Sequence, residues 1–211
     1  MQSQLIIKKP GYKILTPLNR DEILNIIEYA GRISHASTPD GTPESAGKFV
    51  SRIMKLGHES IIEHVSISVL FEISRSSTHD LVRHRLTAIT QSSTRYIRYT
   101  DNFTVIEPPG MTDAEHNIWI TGCEVAHSTY KTLLDKGAPI DAANTVLPHS
   151  LAAQLVMTAN LREWRHILRM RTAKGVRPEI REVMLGLLGD FTAVLPEVFG
   201  DIMAGEGKPS E

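Results

Sequence analysis

The sequence predicts an α+β domain, richer in helix than in strand. Two observations carry this. Several segments combine a capping residue with apolar residues at helical spacing, and one segment alternates apolar and polar residues over Val65, Ile67, Val69, Phe71 and Ile73. A third sets the domain count: 211 residues show no internal repeat, linker or low-complexity tract, so a single domain over residues 1–203 with a flexible tail at 204–211 is the simplest organisation.

In chain order, "NRDEILNIIEYAGRIS" opens on Asn19 as a cap. Asp21 and Glu22 sit at the positive end of the helix dipole, and Ile23, Ile26, Ile27 and Ala30 share one face. "TPESAGKFVSRIMKLG" has Thr42 as cap, Pro43 at the first helical position and Gly57 as stop. The alternating stretch follows as a half-buried strand. "STHDLVRHRL" reads as a short helix and "NFTVIEPP" as a second strand closed by Pro108-Pro109. Thr112-Asp113-Ala114-Glu115 is a capping box opening a long helix to about Lys136. Residues 149–171, rich in Leu, Ala, Met and Arg, read as one further helix. Pro178 opens the last, which Pro196 interrupts.

The chain carries 23 basic and 24 acidic residues, a formal net charge of -1. A duplex-DNA binder shows a domain-wide basic excess, so nucleic acid is not the expected partner. Cys123 is the single cysteine and lies mid-helix among apolar neighbours. It reads as a core residue, and a chain without disulfides suits the reducing cytoplasm. The N-terminus lacks the apolar region of a secretory signal, and no run approaches the ~18 apolar residues of a membrane span.

Positive charge is instead concentrated. "RHRLTAITQSSTRYIRY" holds four arginines and one histidine with no acid. On a helix Arg83, His84 and Arg85 would fan over about 200°, suiting separate parts of an extended anionic ligand. Gln91, Ser92, Ser93 and Thr94 follow as a loop of hydroxyls and N–H groups that can cradle phosphate, with Arg95 able to close on it. In "NLREWRHILRMR", Arg162, Arg165, His166 and Arg169 share one helix face, opposite Leu161, Trp164, Ile167 and Leu168. Glu163 and Glu179 are candidate countercharges. Solvation and structural ion pairing account for such stripes equally well, since acids suffice to pair every base. "HESIIEH" spaces His58 and His64 too far apart for a helical zinc pair and offers no evident third ligand, so no metal is expected.

The pattern Arg83-His84-Arg85, seven residues, Ser93, then Arg95-Tyr96 resembles the signature of the flavin-dependent thymidylate synthases. "HESIIEH" is similar to the segment that precedes that signature, and "VLPHSLAAQLVMTANLREWRHILRMR" to the family's C-terminal helix. The resemblance runs from about Arg32 to Ile202. It implies a twisted, mainly antiparallel sheet flanked by long helices. It also implies C5 methylation of dUMP to dTMP, with methylenetetrahydrofolate as carbon donor, FAD as hydride carrier and NADPH as reductant. The assembly implied is a homotetramer holding each FAD at subunit interfaces.

Carried over by position, Arg83, His84, Arg85, Ser60, Gln91, Asn160, Arg162 and His166 would contact FAD, with His58 near flavin and folate. Asp80, Gln91, Ser92, Ser93, Thr94, Arg95 and Asn144 would hold the nucleotide, and Arg171 would meet the uracil edge as the catalytic residue. The chain departs from the family pattern at Asp80, Ala88, Thr90 and Gln91, and at Asn144, where an arginine is usual. Losing that charge-assisted bond removes roughly 1.5–3 kcal/mol. C5 methylation or hydroxymethylation of UMP therefore stands as an alternative. A module stacking RNA bases on Tyr96 and Tyr99 is a further one.

Overall fold

A computed structural model describes residues 4–34, 36–39 and 42–205. Six strands are present among them: β1 (Gln4–Lys8), β2 (Gly11–Ile14), β3 (Ser66–Ser74), β4 (Ala88–Gln91), β5 (Asn102–Ile106) and β6 (Ala152–Asn160). The helices are α1 (Arg20–Ile33), α2 (Pro43–Lys55), α3 (Arg75–Leu81), α4 (Asp113–Asp135), α5 (Ile140–Ala143), α6 (Leu161–Arg171), α7 (Pro178–Val194) and α8 (Pro196–Gly205). The larger sheet has strand order β2-β3-β6-β4, and β1 pairs in parallel with β5, Ile6 opposite Thr104. The α+β class with a mainly antiparallel sheet holds. No helix among the described residues is long and apolar enough to cross a membrane. Of the expected tail, residues 206–211 lie outside the described residues.

Three cap residues act as expected, whereas α3 starts before the expected stretch and is capped by Ser74 rather than by Ser77 or Thr78. Asn19 accepts from Glu22 N–H, Thr42 from Ser45 N–H, and Thr112 and Glu115 close a complete capping box. Three expectations need correction. Residues 149–171 are not one helix: β6 occupies 152–160 and only Leu161–Arg171 is helical. The buried positions Ala153, Leu155, Met157 and Ala159 alternate, so the strand period overrides the helix propensity of Leu, Met and Ala. The short helix stops at Leu81, which leaves Arg83-His84-Arg85 outside any helix. Finally, residues 4–14 form two strands for which no element was expected.

The described residues fall into two compact units. Of these residues, one unit is drawn from 4–11, 71–83 and 90–156, the other from 12–34, 36–39, 42–70, 84–89 and 157–205. The first has a core of Tyr99, Phe103, Val105, Cys123, Tyr130, Ala143 and Leu151. Cys123 is buried there, and burial raises its thiol pKa, which agrees with a packing role. The second has Trp164 at its centre. The indole is fully buried, donates to Ile67 O at 3.0 Å and meets Phe191 edge-on. In the same unit the helical Gly31 faces the Phe49 ring, where a Cβ would come within 2.7 Å, so α1 and α2 approach only because that side chain is absent.

Candidate functional site

In the second unit, α6 carries most of the candidates. Asn160 caps its first turn, accepting from Glu163 N–H at 2.9 Å. Leu161 N–H donates to Val65 O at 2.9 Å, which seats the helix start against the beginning of β3. A cavity of about 700 Å³ is lined by Asn160, Arg162, Glu163, His166 and Arg169, with Glu59, Glu63 and Leu86. Three expected cofactor residues, Asn160, Arg162 and His166, are thus brought to one cavity.

The basic stripe of α6 divides by burial. Arg165 is 2% exposed and does not line the cavity. It donates to Glu59 and Asp201 and to the carbonyl of Val198. Arg169 also reaches Asp201. Arg162 pairs with Glu63 at 2.5 Å across open surface. The countercharges of the α6 stripe include Glu59, Glu63 and Asp201, whereas the expected Glu163 faces His84 instead. Exposed pairs contribute little, so the Arg162 guanidinium can exchange Glu63 for a ligand at small cost.

Glu163 points elsewhere. Its carboxylate lies 3.7 Å from His84 Nδ1, both residues being under a tenth exposed. On the opposite side of that ring, Arg171 Nε donates to His84 Nε2 at 3.0 Å. Burial, then Arg171, then His166 push the His84 pKa down to about 4, so the imidazole is neutral near pH 7. Burial raises the Glu163 pKa. His84, Glu163 and His166 bring three potential metal ligands within 4.8 Å of one another. Arg171 already occupies the Nε2 lone pair, and Arg162 and Arg169 line the same cavity, so fixed positive charge opposes a cation there.

His84 is buried while its neighbours Arg83 and Arg85 are exposed, in a stretch outside any helix or strand. Among the described residues neither arginine has a carboxylate within 4.0 Å. In a chain with an acid for every base, that leaves two signature cations unneutralised. Ser60 and His58, at the 3₁₀ turn Glu59–His64, are exposed and do not line the cavity.

The first unit holds the expected nucleotide residues. Gln91 ends β4 and donates to Thr78 Oγ1 at 3.0 Å. Ser92 N–H donates to Gln154 O at 2.8 Å, while its hydroxyl accepts from Gln154 N–H. Ser93 folds the next turn, its hydroxyl accepting from Arg95 N–H and its carbonyl from Tyr96 and Ile97 N–H. Arg95 lies 3.8 Å from Asp141, both well exposed. Asp80, at the end of α3, is half-buried.

Asn144 donates to Thr94 O at 3.0 Å, and its own carbonyl oxygen is buried with no hydrogen-bond partner among the described residues. Both line a cavity of about 170 Å³ with Arg75, Ser76, His79 and His149. Arg75 is a residue the sequence reading missed. It lies eight positions before Arg83, outside the run that drew attention, and its available signal was the "SRSS" stretch, Ser74 to Ser77, that caps and opens α3. It has no carboxylate within 4.0 Å among the described residues.

The family described as thymidylate synthase complementing protein matches residues 18–197. A flavin-dependent thymidylate synthase of Mycobacterium tuberculosis is 34% identical over 196 residues, spanning 83% of this chain and 78% of that protein. Its counterpart in Mycobacterium marinum is 33% identical over the same shares. Crystal structures of the UMP/dUMP methylase PolB from Streptomyces cacaoi, one bound with 5-Br UMP and one with 5-Br dUMP, superpose with TM-scores of 0.77 and 0.78. At 22% identity they cover 96–98% of this chain and 97–100% of theirs, and they show the fold.

Proposed function

The chain belongs to the thymidylate synthase complementing protein family, and from that premise we propose that it is a flavin-dependent enzyme methylating C5 of dUMP to give dTMP. Methylenetetrahydrofolate is the carbon donor and NADPH the reductant. The observation that carries the anion-binding part is the unneutralised pair Arg83 and Arg85. FAD, when bound, supplies a hydride carrier between reductant and pyrimidine.

The residues present fit that cofactor in two respects. The α6 cavity offers amide, imidazole and guanidinium donors beside carboxylate acceptors, a mixed lining suited to the hydrogen-bonding edges of a heterocycle. A diphosphate needs fixed cations, and Arg83, Arg85 and a released Arg162 supply them. Arg171 meets the pyrimidine, where a permanently charged guanidinium stabilises negative charge as N3 ionises and raises electron density at C5. The purified protein is expected to be yellow or to become so on incubation with FAD. A preparation that stays colourless with FAD present counts against this reading.

The cavity of Arg75, Thr94 and Asn144 is assigned to the nucleotide phosphate and sugar. Arg75 supplies the charge that Asn144 does not. The orphaned Asn144 oxygen can accept from a ligand hydroxyl but has nothing to offer a phosphate oxygen. Arg75→Ala is expected to raise KM for the nucleotide by about 10- to 100-fold, with flavin absorbance unchanged. Steady-state kinetics on the flavin-loaded protein check this, and an unaltered KM removes Arg75 from the site.

Asn144 also supports UMP as a second substrate, because an acceptor at this cavity favours a sugar with one more hydroxyl. Turnover of dUMP and UMP side by side, with folate donor and NADPH, decides between them. The organisation proposed with this activity is a single catalytic domain over residues 1–203. It assembles as a cytoplasmic homotetramer with FAD between subunits, to which sedimentation or light scattering gives a direct answer.

A further inference from the structure

Glu163 lines the α6 cavity but is given no individual role above, and it is a buried carboxylate at the first turn of α6. A carboxylate withdrawn from water is retained at a cost unless something nearby needs it. Among the described residues, the one basic group within 4.0 Å is the His84 ring, through Nδ1 at 3.7 Å. The other ring nitrogen, Nε2, accepts from Arg171 Nε at 3.0 Å. Glu163 and Arg171 are eight residues apart, about 80° around the helix and about 12 Å along it. The imidazole therefore lies along α6 between a carboxylate and a guanidinium.

We propose that Glu163 is a positioning residue: it holds His84 as the Nδ1–H tautomer, so that Nε2 keeps a lone pair for Arg171 and fixes the direction of its guanidinium. The proposal rests on the reading that Arg171 meets the pyrimidine. The hydrogen-bond logic admits one arrangement. A proton on Nε2 would face the Arg171 N–H, two donors opposed, whether the ring were the other neutral tautomer or imidazolium. Burial and the Arg171 charge keep the ring neutral, and the Arg171 N–H already disfavours a proton on Nε2. The Glu163 carboxylate, 3.7 Å from Nδ1 and beyond hydrogen-bond range, adds the attraction of its negative charge for a proton on that nitrogen. His166, edge-on to His84 with ring centroids 5.9 Å apart, closes the third side and limits rotation of the ring.

The test has a spectroscopic arm and a kinetic arm. In 15N-histidine-labelled protein, with the His84 signals identified by their loss in His84→Gln, the wild type is expected to show protonated Nδ1 and bare Nε2 at neutral pH. Glu163→Ala should move these signals toward a tautomer mixture, and Glu163→Gln, which keeps the size but not the charge, should move them in the same direction. In turnover, Glu163→Ala should lower kcat on the order of ten- to a hundredfold through misaligned Arg171, with nucleotide KM nearly unchanged, and should add nothing in an Arg171→Ala background. A wild-type His84 protonated on Nε2, or spectra indifferent to Glu163→Ala, overturns the proposal. If the wild type methylates neither nucleotide, the functional reading fails, and the tautomer spectra still decide the relay.

Discussion

Arg171→Ala is expected to give a folded, yellow protein whose kcat falls by about 10²- to 10³-fold or more, the usual effect of removing one preorganised donor from a developing anion. Arg171 is the last residue of α6, half-buried, and its Nε is committed to His84. The guanidinium is charged at every working pH, so its electrostatic contribution needs no proton movement at the moment of reaction. Arg171→Lys should rescue poorly. It restores the charge but not the planar guanidinium whose Nε bonds His84. Flavin content is read from absorbance, nucleotide affinity from calorimetry on the loaded protein and kcat from steady-state turnover. Wild-type kcat in Arg171→Ala would remove this residue from catalysis. Loss of flavin together with activity would recast it as a cofactor ligand.

The sequence was most legible where local chemistry decides the outcome. Asn19, Thr42 and Thr112 each satisfy an orphan N–H at a helix start, which depends on residues within one turn. It was least legible where pairing with distant strands decides. "AAQLVMTAN" carries helix-forming residues, yet β6 lies between β3 and β4 in the sheet, and only the alternation of Ala153, Leu155, Met157 and Ala159 betrayed it. The strands before Ile14 are short and partly exposed, so they lack even that signal. At the candidate site the arginine run and the α6 stripe were visible as charge density. Which members bind and which support the fold was not, because that depends on burial. Arg162 and Arg165 are alike on a helical wheel, but one is solvated and the other is not. Glu163 was read as a countercharge for arginines because spacing along a helix cannot show that its carboxylate faces a histidine from another segment.

Arg165→Met is therefore expected to damage stability rather than ligand binding, and by a large amount. The Arg165 side chain is 3% exposed and bonds three acceptors: Glu59 at 3.0 Å, Asp201 at 2.7 and 2.8 Å, and the Val198 carbonyl. These tie α6 to the 3₁₀ turn before β3 and to α8. Methionine fills the volume but removes the donors to the Val198 carbonyl, Asp201 and Glu59, and leaves Glu59 only the longer 3.7 Å contact with Arg169. Breaking a buried ion pair from one side typically costs about 3–5 kcal/mol. The half-exposed Asp201 can regain water, so the lower end of that range is expected, seen as a reduced urea midpoint at fixed protein concentration. The pH dependence identifies the cause. Burial alone would push the Asp201 carboxyl up, but its bonds and charge pairing with Arg165, then Arg169, hold it below the usual range. A carboxyl depressed in the folded state stabilises above its unfolded pKa, about 3.9, and that contribution disappears as pH falls through the lower folded value. The gap in stability between wild type and Arg165→Met should consequently be widest near neutral pH and narrow in acid below about pH 4. A gap that stays constant with pH would assign the loss to packing of the side chain instead. An absence of any gap would mean that Arg165 belongs with Arg162 among the residues free to serve a ligand.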